Sequence, residues 1–372
     1  MKTKRHIQDL VRPNIRRLEP YSSARDEYSG EAAVWLDANE NPYPGQVQLV
    51  MRDPYTGREL AKLDEAGLNR YPDPCQRSLK EQISRYKGVL PEQVFLGNGS
   101  DEILDLLFRT FCDPGNDEII LAPPTYGMYA VLADIHGTPV KEVPMDESLQ
   151  PSPPAILSQV TENTKMIFLC SPNNPTGNAV NKNNVIALLE QFKGLVVVDE
   201  AYIDFAPKKS ILPLLEKYDK LVVLQTFSKA LGLAGIRLGM AFASPEVFQW
   251  LNRVKLPYNV NRLTLALASL RFEEKKAQEE IVQKILEERK KLEKFLAVLP
   301  VVKKVYPSDA NFLLVCFDNP ERIYRYLMEK GIVVRLRKGI PGCGKAIRIT
   351  VGTKKENKLL LQALDEYNAL KK

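Results

Sequence analysis

Histidine is nearly absent from this chain. His6 and His136 are the only two in 372 residues, which argues against a His-rich metal site and against a Ser-His-Asp triad. Cysteine is sparse and scattered: Cys75, Cys112, Cys170, Cys316 and Cys343 stand far apart. No zinc-type pair follows from that spacing, and nothing resembles a disulfide framework, so a reducing compartment is expected. Cys170 sits inside an apolar run and reads as a buried small hydrophobe. No stretch approaches the ~18 apolar residues of a membrane span. The opening MKTKRHIQDLVRPN has no apolar signal-peptide core, so no membrane is expected and the cytoplasm is the expected location. Lys and Arg number 52 against 46 Asp and Glu. The small excess forms no dominant basic block, so nucleic acid is not an expected partner. Internal repeats and low-complexity tracts are lacking as well.

What remains is a long chain, 44% apolar, able to bury a large core and expected to form two domains. Residues 1–45 are rich in Pro, Asn and Tyr and read as an arm with little regular structure. LKEQISRYKG and SDEILDLLFRTFC have helical spacing, with Ser100 or Asp101 a possible cap after GNG. Then DEIILA, TKMIFLC, GLVVVDEAY, KLVVLQTF and LGMAFA read as buried strands, with NKNNVIALLEQFKG as a helix between two of them. Unbroken Val/Ile/Leu runs are what a sheet covered on both faces requires, and strand–helix alternation makes it mainly parallel. RFEEKKAQEEIVQKILEERKKLEKFLAVL reads as one long amphipathic connector. Strand-like ANFLLVCF, IVVRLR and AIRIT follow, interleaved with helical ERIYRYLMEKG and a C-terminal helix from about Lys354. The expected architecture is α/β: a large domain over 46–260 and a smaller α+β domain built from 261–372 with the arm 1–45.

The chemistry centres on QTFSKALGLAGIRLG, which leaves a strand and places Lys229 beside Ser228, with Arg237 eight residues on. Strand ends at a sheet's carboxyl edge are where α/β folds bind ligands. Thr226, Ser228 and Arg237 offer hydroxyls and a guanidinium fork suited to a phosphate. A phosphate beside a reactive lysine suggests pyridoxal phosphate, whose aldehyde forms an imine with lysine. That group needs a buried carboxylate for its ring nitrogen, and Asp199 ends VVVD. It needs donors for its phenolate oxygen, which Asn174 and Tyr202 can supply, and a stacking ring, for which Tyr126 is placed. GNGSDE offers a second phosphate cradle at Ser100 and Asp101. Singly, each has a plainer reading. Asp199 could cap a strand, Tyr126 could be packing, Tyr71 before Pro72 could mark an extended segment, and Arg335 and Arg348 could line a solvated strand face. Five concordant motifs in order make those readings jointly untenable.

GNGSDE, PPTYGMY, SPNNPTG, VVVDEAY and TFSKALGLAGIRLG together resemble the fold-type I pyridoxal-phosphate aminotransferases from about Pro42 to the C-terminus. PYSSAR, LDANENPY, NRYPDP, DANFLL and IRITVGT are similar to the histidinol-phosphate aminotransferase branch. The resemblance implies a seven-stranded-type sheet and a homodimer. It makes Lys229 the Schiff-base lysine and proton carrier, and Asp199 the partner of the ring nitrogen. Asn174 and Tyr202 would serve the phenolate oxygen, and Ser100, Asp101, Thr226, Ser228 and Arg237 the phosphate. Tyr71 would reach the partner subunit's cofactor. Arg348 would take a substrate carboxylate, with Arg335, Asn39 and Tyr21 helping to hold the substrate and its phosphate. The implied reaction is ping-pong transfer between histidinol phosphate and 2-oxoglutarate, with no metal. Threonine-phosphate decarboxylases share much of the motif set, and an aromatic-amino-acid aminotransferase stays open on the same fold. A non-catalytic cofactor-binding regulator would need an N-terminal DNA-binding domain, for which this N-terminus is too short.

Overall fold

The computed structural model describes residues 6–19, 49–52, 59–63 and 68–369. Two strands, β1 (Leu49–Arg52) and β2 (Glu59–Leu63), form an antiparallel pair. The main sheet contains β3 (Val94–Gly97), β4 (Glu118–Leu121), β5 (Val140–Glu142), β6 (Thr164–Cys170), β7 (Leu195–Asp199), β8 (Leu221–Thr226) and β9 (Gly239–Phe242). Its order is β3-β9-β8-β7-β6-β4-β5, and only β9 runs against the rest. The mainly parallel sheet read from the sequence is therefore present, and the reason is visible residue by residue. In β7, Val196 and Val198 face one core while Leu195 and Val197 face the other. A strand buried on both faces cannot alternate polar with apolar. Each such Val contributes roughly 1.5–3 kcal/mol over leaving it in water.

A second sheet is antiparallel: β10 (Val302–Val305), β11 (Phe312–Phe317), β12 (Arg335–Ile340) and β13 (Gly344–Thr350), in the order β10-β11-β13-β12. The helices Pro320–Glu329 and Lys354–Ala369 contribute Ile323, Leu327, Leu360 and Leu364 to its core. The two sheets meet where the turn at Asp309 docks on the SPNNPTG loop. The Asp309 amide donates to the Gly177 carbonyl at 2.7 Å, and its carboxylate accepts from the Ala179 amide at 2.9 Å.

Several expectations need correction. The expected connector is two helices, Arg262–Glu273 and Lys275–Ala297, broken at Glu274. The start of the arm is more ordered than its composition suggested. Short helices Ile7–Leu10 and Pro13–Arg16 bury Ile7, Leu10 and Ile15 in the core that covers one face of the large sheet. The expectation of no disulfide is also overturned. Cys316 on β11 and Cys343 in the β12–β13 turn are bonded, with Cα atoms 6.1 Å apart. They are 27 positions apart in sequence, and only the sheet pairing brings them together. Among the described residues no helix is long and apolar enough to cross a membrane.

Candidate active site

The carboxyl ends of β6, β7 and β8 lie side by side, with Cys170 paired to Asp199 and Asp199 to Leu224. The chain leaving these ends carries Asn174, Tyr202, Ser228 and Lys229 to one place. Together with Ser100, Asp101, Tyr126, Thr226, Arg237, Arg335 and Arg348 they line a cavity of about 490 Å³. The structure thus brings twelve of the sequence-expected residues into one space, Asp199 included. Two others, Tyr21 and Asn39, lie outside the described residues. Tyr71 does not line this cavity. It is half-exposed and stacks on Tyr258, with ring centroids 4.5 Å apart.

Asp199 forms the floor. It is almost wholly buried, and two donors hold it: the Tyr129 hydroxyl at 2.7 Å and the Ala201 amide at 3.0 Å. Burial pushes its carboxyl above the ordinary value, while the Tyr129 and Ala201 hydrogen bonds and the Lys229 charge pull the other way. Tyr129 was not legible as a site residue. Its ring packs in the core, stacked on Phe168 at 5.2 Å and edge-on to Tyr126 at 5.4 Å. The Tyr126 hydroxyl in turn leans on Asp101 at 3.4 Å, and burial pushes its phenol up to about 12.

The helix Ser100–Phe111 starts at one side of the cavity. The expected side-chain cap is not made: Gly99 is the capping residue and no side chain accepts from the first turn. Elsewhere the chain caps helices with asparagine. Asn181, Asn261 and Asn319 each accept a backbone N–H of their own first turn. An uncapped N-terminus leaves donors and the positive end of the helix dipole facing the cavity. A Cβ on Gly99 would stand 2.7 Å from Arg237 Nη2, so the guanidinium lies against bare backbone at that helix start. Arg237 itself holds a left-handed φ of 54°.

Lys229 opens onto the same space, its Nζ 5.5 Å from the Tyr202 ring centroid. Burial first, then the Arg348 charge, lowers its ammonium from the ordinary value. Tyr202 is raised, by burial first. On the far wall Arg348 Nη1 donates to Asn174 Oδ1 at 2.6 Å, and its guanidinium sits over Phe312 at 5.4 Å. Arg337 also lines the cavity, which the sequence reading missed. Its signal was the spacing Arg335-Leu336-Arg337, which puts two arginines on one strand face. Among the described residues no cluster of His, Cys, Asp and Glu could hold a metal ion.

An acid on the floor, an amine of lowered basicity beside it, an anion cradle at one end and arginines at the other define a site for group transfer on a charged small molecule. The family model for aminotransferase class I and II matches residues 31–364, and the chain belongs to that family. Among its curated relatives is a histidinol-phosphate aminotransferase of Bacteroides fragilis, 49% identical over 362 residues and covering 97% of this chain and 99% of its own length. The solved histidinol-phosphate aminotransferase of Clostridium acetobutylicum superposes with a TM-score of 0.75 at 26% identity, over 82% of this chain and 92% of that one. The Sinorhizobium meliloti enzyme of the same name, solved in complex with pyridoxal-5'-phosphate, also gives 0.75, at 25% identity over 82% and 84%.

Proposed function

We propose that this protein is a pyridoxal-phosphate enzyme that moves an amino group between histidinol phosphate and 2-oxoglutarate, giving imidazole acetol phosphate and glutamate. The observation that carries the reading is the convergence of Asp199 and Lys229 on one cavity, between an uncapped helix end and a set of arginines. Relatives of that name at 49% identity along nearly the whole chain support the substrate. The residues present fit the cofactor. The Ser100 and Asp101 amides with Thr226, Ser228 and Arg237 would hold its phosphate, Asp199 its ring nitrogen, and Asn174 and Tyr202 its phenolate oxygen, with Tyr126 against the ring face.

Pyridoxal phosphate, when bound, supplies an aldehyde that takes the amino group and a ring that draws electrons from the neighbouring carbon. The chain supplies the rest. Lys229 Nζ, of lowered basicity, is free to lose its proton and carries the substrate's Cα proton within the site. A buried anionic Asp199 keeps a cationic ring in place, and Tyr129 and the Ala201 amide hold that carboxylate still. Arg348 and Arg335 bind and orient the anionic groups of both substrates, Arg335 serving either the phosphate or glutamate's distal carboxylate, with Tyr21 and Asn39 assisting. We place the large domain at 46–260 and the small one at 261–372 with the arm 1–45. The active unit is a cytoplasmic homodimer in which the half-exposed Tyr71 reaches the partner's site.

The test is a half-reaction titration of the cofactor-loaded protein with histidinol phosphate, phenylalanine and threonine phosphate, following visible absorbance. Histidinol phosphate should convert the cofactor to its amine form at the lowest concentration, and Lys229→Ala should abolish the conversion. Release of carbon dioxide from threonine phosphate, or a preference for phenylalanine, would overturn the assignment.

A further inference from the structure

The far wall carries more positive charge than the amino donor needs. Arg335 and Arg337 are two apart on β12 and share one face, while Leu336 between them turns into the small core. Arg348 on β13 stands directly opposite Arg335 in the ladder. All three line the cavity. Opposite Arg337 is Ala346, a small side chain that leaves the long guanidinium arm room along the sheet.

Among the described residues Arg335 and Arg337 make no ion pair with a carboxylate. Arg337 Nε is buried and has no hydrogen-bond partner. Burial, then the Arg348 and Arg335 charges, hold the Arg337 guanidinium below its ordinary value. The cavity's own carboxylates do not answer these charges: Asp199 is held by Tyr129 and the Ala201 amide, and Asp101 lies by Tyr126. Three like charges against one wall, one with a buried unpaired donor, are unfavourable unless an anion completes them. Glutamate has two singly charged carboxylates, and Arg348 and Arg335 suffice for them. A phosphomonoester gathers close to two charges and three acceptor oxygens at one point near neutral pH, and one guanidinium fork cannot match that.

We propose that Arg337 is a specificity-determining residue. With Arg335 it forms a paired guanidinium site for the dianionic phosphate of the phosphomonoester substrate, its Nε–H turned to a phosphate oxygen. Glutamate, by contrast, is held by Arg348 and Arg335. The assignment rests on the phosphate-substrate reading above, and it makes preference for a dianion over a monoanion a property of one residue on β12.

The experiment uses the cofactor-loaded protein with Arg337→Gln and Arg337→Lys. In the half-reaction, Arg337→Gln should lower kcat/KM for histidinol phosphate on the order of 30-fold, the loss of one charge-assisted hydrogen-bond pair, chiefly through KM. The loss for glutamate should be several-fold at most, and Arg337→Lys should recover most of the histidinol-phosphate activity. A binding arm needs no turnover: inorganic phosphate should raise the unfolding temperature of the wild-type loaded protein and of Arg337→Lys but not of Arg337→Gln, while glutarate should protect all three. Equal losses for both substrates, or phosphate protection retained in Arg337→Gln, would overturn the proposal. If the wild type failed to react with histidinol phosphate yet lost phosphate protection on Arg337→Gln, the substrate assignment would fall and the anion site would stand.

Discussion

Replacing Tyr129 with Phe removes one hydroxyl from the core and nothing else of size. That hydroxyl donates to Asp199 Oδ2 at 2.7 Å inside a fully buried pocket. A hydrogen bond to a charged acceptor is worth about 1.5–3 kcal/mol, and a neutral one about 1 kcal/mol. The cost of Tyr129→Phe therefore depends on whether Asp199 is ionised. Burial raises the folded carboxyl above its unfolded value near about 4. The folded state then holds this proton more tightly. The associated stability is fully present below the unfolded value and is lost as pH rises through the folded one. Removing a hydrogen bond that favours the anion pushes the folded value higher and deepens that loss. In urea unfolding of the cofactor-free protein, Tyr129→Phe should cost about 1 kcal/mol below pH 4 and about 2–3 kcal/mol once Asp199 is ionised. The same deficit should weaken pyridoxal phosphate binding near neutral pH by about 10-fold or more, since the ring nitrogen needs the anion. A deficit that stayed constant with pH, or cofactor affinity equal to wild type, would refute this reasoning.

Two further predictions concern the frame around the site. Glu200 is fully buried, held by the Ile211 amide, Ser210 Oγ and Gln225 Nε2, and burial pushes its carboxyl up to about 7. Its stability contribution is present below its unfolded value and disappears as pH rises through about 7, a swing of about 3 kcal/mol. Glu200→Gln should therefore gain on wild type in unfolding free energy between pH 5 and 8, and parallel pH profiles would contradict that. Gly177 has φ +88°, and a Cβ there would meet Ser308 Oγ at 2.6 Å. Gly177→Ala should cost about 2–3 kcal/mol in urea unfolding, from left-handed backbone strain and displacement of the docked turn; a loss below about 0.5 kcal/mol would show that the turn yields freely.

What the sequence revealed followed from periodicity and strand ends. TKMIFLC, LVVVD and KLVVLQT announce doubly covered strands because nothing polar interrupts them. Residues immediately beyond those strands could be assigned to one edge, so Asp199, Asn174, Tyr202, Ser228 and Lys229 were legible. Tyr129 was not, because a tyrosine within MYAVLADI looks like core and only the third dimension aims its hydroxyl at Asp199. Arg337 was hidden by the plainer reading of an alternating strand with a wet face. Ser100 looked like a cap, since serine before a helical run usually is one; here the helix begins one residue earlier. The break at Glu274 separates two stretches that are both good helix formers, so composition could not locate it.

The Cys316–Cys343 bond ties the β12–β13 turn to β11, within the same sheet as the strands that bear Arg335, Arg337 and Arg348. The guanidiniums thus hang from a stapled hairpin, while Asp199 and the chain to Lys229 issue from a separate, parallel framework. Recognition and bond-making are carried by different pieces of scaffold. Exchanging side chains along the hairpin can retune which anion is accepted without disturbing the carboxylate or the amine that do the chemistry.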